Sequence, residues 1–263
     1  MAEPLVTPPP RTAWLAFSLA AALIGLPLLG LMVRAPWARL PSLLAGHEAQ
    51  QALVLSLGTC LVSTAVVVVL GVPTSLVLAR STGRWVQVAR TLFSLPMVLP
   101  PVVAGLALLA TFGRWGVVGR PLSHAGIEIG FTTTAVVISQ VFVSLPFMIG
   151  SLEGALRSSG TQHEVVAAGL GASPLRVFLT VTVPMAAPSI GAAAALAFAR
   201  ALGEFGATLT FAGSLPGVTR TLPLEIYLLR ESDSDLSLAL SLVLLVVAAV
   251  LVVATSRWSG NRG

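Results

Sequence analysis

The chain has 263 residues, of which 56% are hydrophobic and only 10% charged, with a net charge of +5. An ordinary soluble domain carries roughly 25% charged residues, so this composition excludes a water-exposed surface and indicates lipid as the solvent. All 15 basic residues are arginine; without lysine there is no P-loop and no Schiff base in this chain, and the scattered arginines form no basic stripe for nucleic acid.

Six uncharged stretches reach the length of about 20 residues needed to span a bilayer, and each must be a helix to satisfy its backbone in lipid. The first, residues 12–33, follows Pro8, Pro9, Pro10 and Arg11. It exceeds the apolar core of about 7–15 residues typical of a cleaved signal peptide, which predicts an uncleaved first helix. The second, 50–79, is overlong and either tilts or projects into water. It holds the single cysteine, Cys60, which reads as a small buried hydrophobe; there is no disulfide framework and no cysteine-rich metal site.

The third stretch, 91–113, opens on Leu95-Pro96-Met97-Val98-Leu99-Pro100-Pro101. Proline removes a backbone donor and kinks a helix, and such breaks accompany pathways or hinges in transporters. The cluster of Pro96, Pro100 and Pro101 therefore suggests a pathway wall beside the fifth helix. Pro146, in the fourth stretch at 129–152, reads as a proline that a membrane helix merely tolerates.

Between the fourth and fifth stretches, Thr161 and Glu164 have capping-box spacing, so a short helix starts at Gln162. Gly169 and Gly171 supply its stop, and Ser173-Pro174 restarts the chain as an N-cap with proline at the first helical position. Val166, Ala167, Gly169 and Leu170 give this helix little bulk, which suits a groove on a partner protein. Glu164 has two readings, as the cap of its own helix or as a contact with that partner.

The fifth stretch, 177–199, leads into Arg200-Ala201-Leu202-Gly203-Glu204. Ionisable residues deep in a span seldom face lipid. Arg200 and Glu204, four apart on one helical face, neutralise each other. The pair is either a structural tie between packed helices or part of an anion path shaped further by the hydroxyls of Thr208 and Thr210. Gly203 and Gly206 allow a second helix to approach closely. The sixth stretch is 236–256. His47, His124 and His163 fall in separate connections, so no metal site or catalytic triad is indicated.

An even number of crossings puts both termini on one side, and the arginine bias selects it. One side holds Arg11, Arg80, Arg84, Arg90, Arg157, Arg176, Arg257 and Arg262 against Glu3, Glu153 and Glu164, a net of +5. The other holds six arginines against six acids, a net of zero. Both termini are therefore expected in the cytoplasm.

The loop around Glu164 resembles the signature loop of the permease subunits of ATP-binding-cassette importers. In that family Glu-Ala-Ala is followed by a glycine six or seven residues after the glutamate, then by an apolar-x-apolar-Pro ending. Here Gly171 follows Glu164 by seven and Val181-Thr182-Val183-Pro184 closes the pattern, with Glu-Val-Val-Ala-Ala in place of Glu-Ala-Ala. The resemblance implies that Glu164, Ala167, Ala168 and Gly171 make the coupling contact to a cytoplasmic ATPase. It also implies the all-α, six-helix type I importer fold, with residues 1–49 as tail, first helix and external loop, 50–256 as the transmembrane domain and 257–263 as a cytoplasmic tail.

Within the family, Leu202-Gly203-Glu204-Phe205-Gly206-Ala207-Thr208 and Pro216-Gly217-Val218-Thr219-Arg220-Thr221-Leu222-Pro223 resemble molybdate permeases. Sulfate permeases are similar but carry tyrosine, glycine and serine where this chain has Phe205, Gly206 and Ala207. The implied protein is a molybdate permease of the cytoplasmic membrane and not an enzyme. It would pair with a second permease copy, with ATPase subunits that hold the ATP and Mg, and with an external binding protein. A sulfate permease is the alternative inside the family and a passive anion channel the alternative of another class. A channel needs no coupling helix, and a membrane enzyme needs more convergent groups than Arg200 and Glu204.

Overall fold

The computed structural model describes residues 10–260, with side chains to residue 253. The tails at 1–9 and 261–263, with Glu3, Pro8, Pro9 and Arg262, lie outside the described residues, as does the Arg257 side chain. Among the described residues there is no strand. Helix α1 (Arg11–Arg34) is followed by a 3-10 turn at Trp37–Arg39, the short α2 (Leu40–Leu44) and α3 (His47–Arg80). At 1.5 Å per residue, the 34 residues of α3 run about 51 Å, well beyond a hydrocarbon core of about 30 Å.

The third apolar stretch is not one kinked span. It is split into α4 (Arg84–Val98) and α5 (Pro101–Phe112), whose axes meet at 114°. The two consecutive prolines explain the break. A residue before proline is pushed out of the α region, and both Leu99 (ψ 133°) and Pro100 (ψ 135°) are extended. Then follow α6 (Gly119–His124) and α7 (Thr133–Ser158), the latter capped by the Thr132 hydroxyl, which accepts from the Ala135 N–H. Helix α7 continues past Pro146, as expected of a tolerated proline.

Beyond α8 (Gln162–Gly169), the fifth span begins with α9 (Pro174–Val177), widens into a π turn at Phe178–Thr182 and continues as α10 (Val183–Leu202). The span therefore starts at Pro174, after Ser173, where the sequence places the restart. Pro184 has no N–H and its ring would meet the Thr180 carbonyl in a regular helix; one wider turn relieves both problems. The chain closes with α11 (Gly206–Ala212), α12 (Leu222–Ser232) and α13 (Ser234–Gly260). Among the described residues, five helices are long and apolar enough to cross a membrane, or six if the bent α4–α5 pair counts as one.

Helices α3, α7 and α10 form the centre, where Val67, Met148, Leu152, Ala193 and Ala197 are buried together. Lipid tails are as apolar as these side chains, so close packing rather than water exclusion holds the helices. A second cluster joins the start of α3 to α12 and α13 through Ala49, Ala52, Leu222, Leu229 and Leu240. Cys60 is fully buried and accepts from Gln140 Nε2 at 3.4 Å. Helix α1 buries none of its residues. His47, His124 and His163 sit in α3, α6 and α8 rather than in loops, and among the described residues no cluster of His, Cys, Asp and Glu could hold a metal ion.

Candidate functional site

Helix α8 lies where α3 and α7 end and the fifth span begins. It starts at Gln162 as expected, but Thr161 makes no side-chain cap, so the capping box does not form. Gly160 (φ +71°) and Gly171 (φ +85°) supply the left-handed turns that bring the chain in and out, while Gly169 remains helical.

The Glu164 carboxylate turns inward. It takes two bonds from the guanidinium of Arg80, the last residue of α3: Nε to Oε2 at 3.0 Å and Nη2 to Oε1 at 3.1 Å. The Thr182 hydroxyl donates to the same Oε1 at 3.0 Å. Arg80 also donates to the carbonyls of Leu156 (2.8 Å) and Gly160 (2.7 Å). A bidentate, charge-assisted pair outcompetes a local cap because it satisfies more donors at once. A second carboxylate, Glu153 on α7, accepts from Arg90 Nε (2.7 Å) and Arg157 Nε (3.0 Å), and both arginines also donate to the Leu78 carbonyl. A cleft of about 300 Å³ beside α8 is lined by residues including Ser158, His163, Glu164, Thr182 and Met185.

Because Glu164 and Ala167 face inward, the free surface of α8 and its C-cap is mainly apolar: Val165 is 64% exposed, Val166 63% and Leu170 85%, with Ala168 exposed beside them and Gln162 and His163 as the exposed polar residues of the first turn.

At the far end of α10, the ion pair forms with Arg200 Nη1 2.8 Å from Glu204 Oε2. The two residues do not share a continuous helix, because α10 ends at Leu202 and Glu204 sits in the break before α11. Its other oxygen accepts the Ala207 N–H at 2.7 Å, capping α11. Glu204 is buried, whereas Arg200 is partly exposed, with its guanidinium 6.0 Å from the Phe147 ring centroid. Thr210 donates to the Gly206 carbonyl; Thr208 is buried and its hydroxyl has no partner among the described residues.

The prolines are not equivalent. Pro96 lies inside α4, Pro100 caps α5 and Pro101 starts it. Only Pro101 is placed against the break in the fifth span: a Cβ on Gly206 would fall 2.6 Å from its Cβ. Gly203, expected to allow close approach as well, has no neighbouring helix against it.

Residues 71–259 match the model of the binding-protein-dependent transport system inner membrane component. The chain belongs to this family. The transport-component chain is 53% identical over 244 residues to the molybdenum transport system permease protein ModB of Mycobacterium tuberculosis, covering 93% of this chain and 92% of that one. With the Escherichia coli K12 protein of the same description it shares 36% identity over 210 residues, 79% of this chain and 92% of the other. Two solved structures share the fold. One is a bacterial ABC transporter importing alginate (TM-score 0.63, 17% identity, 96% of this chain and 97% of that one). The other is the inward-facing MetNI methionine transporter (TM-score 0.58, 18% identity, 88% and 95%). The type I importer transmembrane fold expected from the sequence is thus the one observed, in an inner membrane transport component.

What the sequence of this transport component concealed is Arg80. Its charge helped only to orient the chain, yet it lies 84 positions from Glu164 and closes the network around it. Thr182 was legible only as part of the closing motif. At the opposite end, Arg220 lies 3.5 Å from the Glu225 carboxylate on α12. Burial pushes that carboxyl above its ordinary range, Arg220 pulls it down and Glu48 pushes it up. Arg220 belongs to a motif quoted from the sequence, whereas Glu225 and Glu48 do not.

Proposed function

We propose that this chain is the permease subunit of an ATP-driven importer of molybdate, a tetrahedral oxyanion. The observation that carries the reading is the extent of the match, 53% identity over 93% of the chain to a molybdenum permease. Phe205-Gly206-Ala207 also agrees with the molybdate rather than the sulfate pattern. In this reading two copies of the chain enclose the path, both termini are cytoplasmic, and an external binding protein delivers the anion. A partner ATPase binds and hydrolyses ATP with Mg. Helix α8 couples the two through Val165, Val166, Ala168 and Leu170, while Glu164 and Ala167 seat the helix and Gly171 turns the chain away.

The Arg200–Glu204 pair stands in the path wall with Thr208 and Thr210, and Pro101 holds α5 against it; Pro96 and Pro100 set the bend that makes this possible. Pairing with Glu204 leaves Arg200 with reduced positive character, which suits an anion that must be released.

The test is uptake of radiolabelled molybdate into vesicles reconstituted with this chain, its ATPase and its binding protein. ATP-dependent uptake that a tenfold excess of sulfate does not suppress is expected. Uptake that persists without ATP would instead identify a channel, and suppression by sulfate would identify a sulfate permease.

A further inference from the structure

Of the groups around α8, Arg80 is the one that nothing so far assigns a role, and its bonding is unusually complete. Its Nε, Nη1 and Nη2 together reach Glu164 twice, the Leu156 carbonyl and the Gly160 carbonyl. These four bonds join the last residue of α3 to the end of α7, to the turn before α8 and to α8 itself. The fifth span joins through Thr182, which closes the π turn and donates to the same carboxylate. The site is half-buried, with Arg80 and Glu164 side chains 22% and 21% exposed, so the pair is shielded from the screening that weakens surface pairs.

The free face of α8 makes none of these bonds. Contact with a partner and attachment to the bundle are therefore carried by opposite sides of one short helix. An eight-residue helix is too short to hold its orientation alone and must be fixed by tertiary contacts.

We propose that Arg80 is a positioning residue for transport: the pin that makes α8 move as one body with α3, α7 and the fifth span. Glu164 is the receiving half of that pin. This inference rests on the proposed importer function and predicts a phenotype that separates docking from transmission. Without the pin, the apolar face still docks, but displacement of α8 dissipates in its two glycine turns instead of reaching the spans.

The experiment uses the full chain reconstituted with its ATPase and binding protein, comparing wild type with Arg80→Gln, Arg80→Lys and Thr182→Ala. Three quantities are read: ATPase retained on purification, ATP hydrolysed and molybdate moved per ATP. Arg80→Gln is expected to retain the ATPase while transport per ATP falls at least about tenfold, the factor that follows from losing a charge-assisted pair. Arg80→Lys, which keeps the charge but cannot make the fork, should be intermediate, and Thr182→Ala should lose a smaller share. Unchanged transport per ATP in Arg80→Gln overturns the proposal; so does a loss of ATPase binding that parallels the loss of transport. If Arg80→Gln does not accumulate, the lysine and Thr182→Ala variants decide, and wild-type coupling in both overturns it. Absence of ATP-dependent uptake by the wild-type complex would instead refute the importer reading itself.

Discussion

Glu204 has both its oxygens committed inside the protein, one to Arg200 and one to the Ala207 N–H. Removing one partner of such a pair leaves the other unpaired in a poorly solvated place, which costs about 3–5 kcal/mol for a fully buried pair. Arg200 is partly exposed, so the cost should be smaller, about 1–3 kcal/mol for Glu204→Ala. Glu204→Gln keeps an oxygen for the Ala207 N–H and should lose less. Thermal unfolding of the purified chain in detergent should rank wild type above Glu204→Gln above Glu204→Ala; equal midpoints would show that the pair has no structural weight. The residue types and spacing made this pair legible in the sequence. Its geometry was not, since a regular helix was the natural reading of four-residue spacing and the break at Gly203 depends on where α11 packs.

At the scale of elements, the break in the third stretch and the break in the fifth fit together, because α5 packs on α11. The fit is made by two glycines at which a Cβ has no room. At Gly105 it would lie 2.6 Å from Thr210 Cβ and 2.8 Å from the Ala207 carbonyl oxygen, and at Gly206 2.6 Å from Pro101 Cβ. Gly203 offers a control, since the nearest atom to its Cβ position is 3.7 Å away, the Ala199 carbonyl of its own helix. Alanine gains about 1 kcal/mol over glycine in a helix interior, and forced overpacking costs about 1–3 kcal/mol. Gly105→Ala and Gly206→Ala should therefore lower the unfolding midpoint in detergent while Gly203→Ala leaves it unchanged or raised. Retention of the wild-type midpoint by Gly105→Ala would show that α5 and α11 are not pressed together. Span positions could be read from the sequence because lipid imposes length and composition. The 114° bend could not, because consecutive prolines fix that the chain turns but not towards what. The same limit hid the Glu164 network: the motif suggested a local cap, and a distant arginine supplied a stronger partner.

For the whole molecule, the proposed orientation rests on the arginine bias of the connections, and the Arg80 and Glu153 networks lie on the more basic side of that reading. By sequence assignment of the connections, the side assigned to α8 sums to +5 and the other to zero. Helix α1 contributes almost nothing to this balance, since its own end brings Arg11 against Glu3, and it buries no residue in the bundle. Deleting residues 1–34 should thus leave the remaining spans folded and oriented as before, by the arginines that follow α3 and α7. The new amino end would then be outside, one crossing having been removed, and the carboxyl end still inside. Tags at each end, probed with a membrane-impermeant reagent in right-side-out and inverted vesicles, give the answer. In the full chain both tags should react only in inverted vesicles; in the shortened chain the amino tag alone should become reactive in right-side-out vesicles. A carboxyl tag reached from outside in either form would mean that the charge bias does not orient this chain, and α8 could not then face a cytoplasmic motor.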